Sequence, residues 1–131
     1  MQYKVIVKGI PKSVNSSPTS RRTWMTKVAE EARKNFGTPL QDDDLRVEIT
    51  IFHNGIVTFD SQNMAKPICD ALCGVAYVDD MQVMEAEVKR KNLDGTFHIK
   101  GVPEELAIAL CQGEDFVQIV IKKVGNEVEQ L

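Results

Sequence analysis

The sequence predicts an α+β domain, a mixed α/β arrangement in which a small, mostly antiparallel or mixed sheet carries helices packed on one face. Three observations predict it. Several short segments alternate apolar and polar residues, as strands with one buried face do. Between them lie stretches with apolar residues four apart, as in helices with one buried stripe. The chain has 131 residues, 43% of them hydrophobic, which suits one core and leaves too little for two.

Taken in order, Tyr3, Val5 and Val7 alternate with Lys4, Ile6 and Lys8, so residues 2–9 read as a first strand. A turn-rich loop from Gly9 to Pro18 follows. A helix is expected from Pro18 or Thr19 to Asn35, capped by Ser17, with Trp24, Val28 and Ala32 facing the core and Gly37 ending it. Asp42, Asp43 and Asp44 read as solvated turn and edge residues rather than a metal cluster. Leu45, Val47, Ile49 and Ile51 form the clearest half-buried strand. Asn54 and Gly55 give a hairpin signal, with residues 56–59 as its brief return.

Residues 63–73 read as a second helix through Met64, Ile68 and Leu72, and Pro67 fits it only if the helix begins just before that proline. A strand is expected over 82–91 and a short one from Phe97 to Lys100. Pro103, Glu104 and Glu105 open a last helix that Gly113 closes, and Val117, Ile119 and Ile121 make the final strand. Residues 1–131 thus read as a single domain, with 125–131 frayed.

Charge is unevenly spread. The net charge is -3 overall, yet residues 1–40 carry +6 and the remainder -9. A basic N-terminal third suits phosphates and an acidic remainder suits cations, although charges also simply solvate exposed faces. Cys69, Cys73 and Cys111 are odd in number and form no Cys-x-x-Cys pair, so they read as small buried hydrophobes in a reducing compartment. Neither His53 nor His98 is assigned to chemistry. With no apolar run of roughly 20 residues and no signal-peptide pattern, the expectation is a cytoplasmic protein without membrane contact.

The chemistry-bearing stretch runs from Asp60 to Leu72 and then from Tyr77 to Val83. Asp60 stands at a helix start, Lys66 and Asp70 lie one turn apart on one face, and Asp79 and Asp80 occupy a turn leading to a strand. Clustered carboxylates repel unless a cation neutralises them, and hard oxygen donors suit Mg2+ or Mn2+. Spacing alone leaves a structural alternative open, because aspartates at helix starts and turns are common caps.

This pattern resembles the RusA family of Holliday-junction endonucleases, whose core reads Asp-x-Asp-Asn-x-x-Lys, then Asp-Ala-Leu, then paired aspartates before a short strand. Asp60, Asn63 and Lys66 fall on the first motif, Asp70, Ala71 and Leu72 on the second, and Asp79 and Asp80 on the third. The loop Pro11, Lys12, Ser13, Val14, Asn15 resembles the family's Pro-Pro-Ser-x-Asn segment. The resemblance runs from about residue 5 to residue 90 and is specific over 60–83.

What the resemblance implies is a homodimer that binds branched DNA, the four-way junction, and nicks it in recombination and repair with Mg2+ or Mn2+ and no small-molecule cofactor. Carried over by residue, Asp60, Lys66 and Asp80 would be catalytic, with Asp60, Asp79, Asp80 and, through its amide oxygen, Gln62 at the metal. Asn63 and Asp70 would support the motif. Lys12, Asn15, Arg21, Arg22 and Lys27 are the candidate DNA contacts. One position departs: Gln62 stands where the family has its second metal-binding aspartate. The approach from His53 to Phe59 also lacks basic residues. The alternative is therefore a protein of the same fold that binds branched DNA and cuts it weakly or not at all, and a small interaction module of chance similarity is the third reading.

Overall fold

Strands with the cleanest alternation end up in the middle of the sheet. The computed structural model describes residues 2–55, 62–94 and 101–124. Its elements run β1 (Gln2–Lys8), α1 (Pro18–Arg33), β2 (Leu45–His53), α2 (Gln62–Leu72), β3 (Val83–Asn92), α3 (Glu104–Gln112) and β4 (Phe116–Lys123), with a 3-10 turn at Asp80–Gln82 before β3. The sheet order is β1-β4-β2-β3. β4 is antiparallel to both neighbours, and β3 lies parallel to β2 at the edge. A mixed sheet is the result.

Period-two alternation sends Val5, Val7, Val47, Ile49, Ile51, Val117, Ile119 and Ile121 to one face. There they meet Trp24, Val28 and Ala32 of α1 and Met64, Ile68 and Leu72 of α2. These two helices share one face of the sheet, as expected. The third does not. Phe52 and Phe116 point the other way and stack with ring centroids 4.5 Å apart, and α3 covers them with Leu106, Ala109 and Leu110. An apolar patch at one end of the polar face would otherwise meet water, so the last helix goes there.

Two helix boundaries differ from the sequence reading. Ser17 caps α1 by accepting the Ser20 amide at 3.2 Å, as expected, but the helix stops at Arg33 rather than Asn35. Gly37 does not end it, since its φ is not positive. A tight last turn does so instead, Asn35 N–H donating to Ala32 at 2.9 Å, and buried Phe36 then packs on Tyr3 at 4.6 Å between centroids.

The second difference is Pro67. The helix begins at Gln62, five residues earlier, so the proline lies inside it. Proline has no N–H for the carbonyl four residues back, which here is Asn63. The Val14 amide from the loop before α1 donates to that carbonyl at 3.1 Å instead. The helix tolerates the proline because the orphaned acceptor is used from outside.

The expected return strand at 56–59, the short strand from Phe97 to Lys100 and the fraying of 125–131 lie outside the described residues. Among the described residues no helix is long and apolar enough to cross a membrane.

Candidate functional site

α2 buries Met64, Ile68 and Leu72 and turns another face outward. Gln62, Lys66 and Asp70, four apart, form a row on that outer face, roughly 12 Å long at 1.5 Å per residue. Lys66 is 71% exposed and its ammonium lies 3.2 Å from the Asp70 carboxylate. Asn63 is half-buried, and its carbonyl holds the Val14 amide.

The turn carrying Asp79 and Asp80 is built by a residue that motif reading passed over. Gln82 is buried, and its side chain ties the turn to the segment before β2. Its Oε1 accepts the amides of Val78 and Asp79, both at 2.9 Å. Its Nε2 donates to the carbonyls of Leu40 at 2.9 Å and Asp43 at 3.2 Å. The Asp79 carboxylate in turn accepts the Met81 amide at 2.9 Å, completing a capping box. Asp79 therefore caps the turn, while Asp80 beside it is an exposed carboxylate.

Asp80 stands at the C-terminal half of α2. Burial of the Cys69 thiol is the main cause that pushes its pKa from 9.0 up to about 11, and the charges of Asp70 and then Asp80 act in the same direction. Lys66 acts on the same thiol in the opposite direction. Burial and then Asp80 also raise Cys73, and Tyr77, whose hydroxyl donates to the Cys69 carbonyl, is raised chiefly by burial. Lys66 and Asp70 thus pair on α2, and the end of that helix meets the aspartate turn where the Cys73 thiol donates to the Val78 carbonyl at 3.5 Å. The thiols there stay protonated at neutral pH and are poor metal ligands.

Gln62 is elsewhere. It is exposed at the first position of α2 and lines a cleft with Ala65 and with Ala86, Glu87 and Val88 of β3. It lies at the end of the row away from Asp80. Asp60 falls outside the described residues. Among the described residues no three acidic, histidine or cysteine side chains converge as a metal site. The donors at hand, the Asp80 carboxylate and the Gln62 amide oxygen, are hard oxygens of the kind Mg2+ or Mn2+ takes. Their chemistry suits such an ion, and their positions alone do not complete a site for it.

The basic segment splits into two roles. Arg21 is half-buried, and its guanidinium donates to the carbonyls of Val14 at 3.0 Å and Ser16 at 3.5 Å. It holds the loop whose Val14 amide is bound to α2. Lys12 and Lys27 are exposed and line one shallow groove with Ser20, Thr23 and Trp24. The ammonium of Lys27 crosses close over Gly9, where an added Cβ would meet it at 3.1 Å. Arg22 is exposed on the neighbouring stretch of α1 with Thr19, Thr26 and Glu30. Asn15 is exposed, and its amide donates to Ser13 Oγ at 3.1 Å.

A lysine–carboxylate pair on α2, paired aspartates in the turn after it and a loop bonded to the helix start lie within one stretch of the chain. The family model for endodeoxyribonuclease RusA matches residues 7–100. The chain belongs to the RusA endodeoxyribonuclease family. No curated protein matches it. The RusA match spans α1, β2, α2, the aspartate turn and β3, and it ends before α3 and before β4, although β4 lies inside the sheet. Gln82 was detectable without any family: Asp79 followed three residues later by glutamine is the capping-box spacing. The Arg21 clamp had no such signal, because its acceptors are backbone carbonyls.

Proposed function

We propose that this chain is a structure-specific DNA endonuclease that nicks four-way junctions in recombination and repair, acts as a homodimer and depends on Mg2+ or Mn2+. Membership of the RusA endodeoxyribonuclease family supports the reaction class. The observation behind the site assignment is the Lys66–Asp70 ion pair at 3.2 Å on a helix whose end meets the aspartate turn, the Cys73 thiol donating to the Val78 carbonyl at 3.5 Å, all within the family-matched segment.

Asp80, with Asp79 beside it and Asp60 before α2, supplies the carboxylates for the cation, which would polarise the phosphodiester and lower the pKa of the attacking water. Lys66 rests on Asp70 at 3.2 Å and is mostly exposed, so little is lost when a phosphate replaces that carboxylate. Its ammonium then stabilises charge developing on the phosphate. Lys12, Lys27 and Arg22 hold the flanking strand by its phosphates.

A second reading rests on Gln62. An amide at the family's aspartate position removes one full negative charge, which favours a protein that binds the junction and cuts it slowly. Cleavage of a labelled four-way junction and of linear duplex, each in Mg2+, Mn2+ and EDTA, tests both. Metal-dependent nicking of the junction supports the endonuclease. Binding without nicking in either metal supports the second reading, and equal affinity for junction and duplex removes both.

A further inference from the structure

We propose that the groove between the Gly9–Lys12 loop and α1 takes one unpaired nucleotide of the DNA, with its phosphate between Lys12 and Lys27 and its base against Ile10 beside Trp24. The proposal deepens the function above and rests on its claim that the chain binds DNA. The groove has a volume of about 450 Å³, within the range of small-ligand sites, roughly 300–1,000 Å³. Its loop wall is fastened at both ends. The Gly9 amide donates to the Asp115 carbonyl at 2.8 Å, and the Val14 amide donates to Asn63 in the first turn of α2. Pro11 between them is buried. One loop thus forms the groove and holds the helix that carries Lys66.

Chemistry narrows the occupant. Lys12 and Lys27 are exposed cations, and among the described residues neither has an ion-pair or hydrogen-bond partner. Lys34, Lys66 and Lys122, in contrast, each rest on a carboxylate. Lys12 stands at the second proline of the Pro-Pro-Ser-x-Asn segment, so this cation is the chain's own. Gly9 has a φ of 111° and no side chain, and a Cβ there would meet the Lys27 ammonium at 3.1 Å. The glycine lets Lys27, rooted on α1, reach the loop from which Lys12 projects. Trp24 is 4% exposed, and its buried indole N–H has no acceptor, an uncommon state for a buried donor. The Thr23 hydroxyl is already spent on the Thr19 carbonyl at 3.0 Å. Two ammoniums and an indole N–H call for an anion rich in acceptors. Ile10, 49% exposed, calls for an apolar face to cover it. A nucleotide offers both, phosphate oxygens for the lysines and a flat base for the isoleucine. In an intact duplex only base edges show in the grooves, so the nucleotide is an unpaired one, whose face is free.

Trp24 is the chain's single tryptophan, so its emission reports on this groove. In EDTA the full chain is titrated with a single strand of DNA, an abasic strand of equal length, a blunt duplex and a four-way junction. Emission is read beside the anisotropy of the labelled DNA. The single strand should bind and change Trp24 emission. The abasic strand should bind about ten-fold more weakly, and the duplex should leave emission unchanged. Lys12→Ala and Lys27→Ala should each lower the salt slope of single-strand binding by about 0.7. Ile10→Ser should bring the ordinary strand down to the affinity of the abasic one, and thermal melts check that each variant folds. Equal affinity for ordinary and abasic strands, or single-strand binding with silent Trp24 emission, overturns the nucleotide site. A junction that binds where the single strand does not overturns it too, and leaves the DNA reading standing. Failure of all four DNAs to bind overturns both.

Discussion

The carbonyl of Asn63 accepts the amide of Val14 at 3.1 Å, and it is free to do so because Pro67, four residues on, has no N–H. The proline therefore couples the loop before α1 to the first turn of the helix carrying Lys66 and Asp70. Replacing it tests that coupling. In Pro67→Ala the new amide competes for the Asn63 carbonyl, and one hydrogen bond is worth about 1 kcal/mol net. Exchange of the Val14 amide should quicken by about five-fold, while α2 itself is not weakened. Unchanged protection of Val14 would show that the carbonyl serves both donors.

Arg21 and Arg22 are neighbours in sequence in different settings, the first bonded to the loop before α1 and the second exposed. Arg21→Ala removes the donor to the Val14 and Ser16 carbonyls and should cost about 1–2 kcal/mol of stability. Arg22→Ala should leave stability within about 0.5 kcal/mol, yet reduce junction affinity and flatten its salt dependence, since one phosphate contact is lost. Paired thermal melts and salt-dependent gel shifts decide it. The assignment of Arg22 to phosphate contact fails if its variant binds with the wild-type salt slope.

Gln82 is the fastening of the aspartate turn. Gln82→Ala would take the side-chain partner from the Asp79 amide and the Asp43 carbonyl, while the Val78 amide and the Leu40 carbonyl keep each other at 3.2 Å, and each group left unpaired costs about 1–3 kcal/mol unless water reaches it. A loss of about 3 kcal/mol is expected, with Asp79 and Asp80 losing their fixed position. Chemical denaturation measures the first effect, and a larger drop in cleavage than in junction binding registers the second.

What the sequence made legible was whatever depends on period and spacing. Strands β2 and β4 were readable because their alternation is complete, and the caps at Ser17 and Gly113 because residue type and position agree. The face taken by α3 was not readable: it depends on Phe52 and Phe116 meeting across two strands far apart in sequence. Pro67 misled for a similar reason, because only a tertiary contact tells where the freed carbonyl finds its donor. In the site, the row along α2 followed from four-residue spacing. The distance of Gln62 from Asp80 did not, since it depends on which stretch of β3 packs against each end of the helix.

Cys69 supplies a pH signature. Its folded-state pKa is raised, chiefly by burial, to about 11, so folding favours the protonated thiol. The stability this gives is complete below the unfolded value of 9.0 and is lost as pH rises through about 11. Tyr77, also raised by burial, steepens the same limb. Cys69→Ala should flatten stability between pH 9 and 11. At neutral pH, exposed Cys111 should react with a thiol reagent well before Cys69. A Cys69 that labels as fast as Cys111 contradicts the burial.

Gln62→Asp weighs the two readings of function. The substitution restores the family's charge at the first, exposed position of α2. Without metal two effects oppose each other: a carboxylate at a helix N-terminus gains about 0.3–1 kcal/mol from the dipole, while repulsion from nearby acidic groups takes some of that back. Metal-free stability should therefore change little. With metal they no longer cancel, because a carboxylate holds a hard dication better than an amide does. Tenfold tighter binding adds about 1.4 kcal/mol of stability at saturating Mg2+, and junction cleavage should accelerate in parallel. Melts of both proteins with and without Mg2+, beside a nicking assay, read the two effects separately. Metal-dependent stabilisation with faster nicking means that Gln62 is a weakened position in a working metal site. Equal behaviour in Mg2+ and EDTA, with no gain in nicking, would falsify a metal role for this end of α2 and leave junction binding as the function.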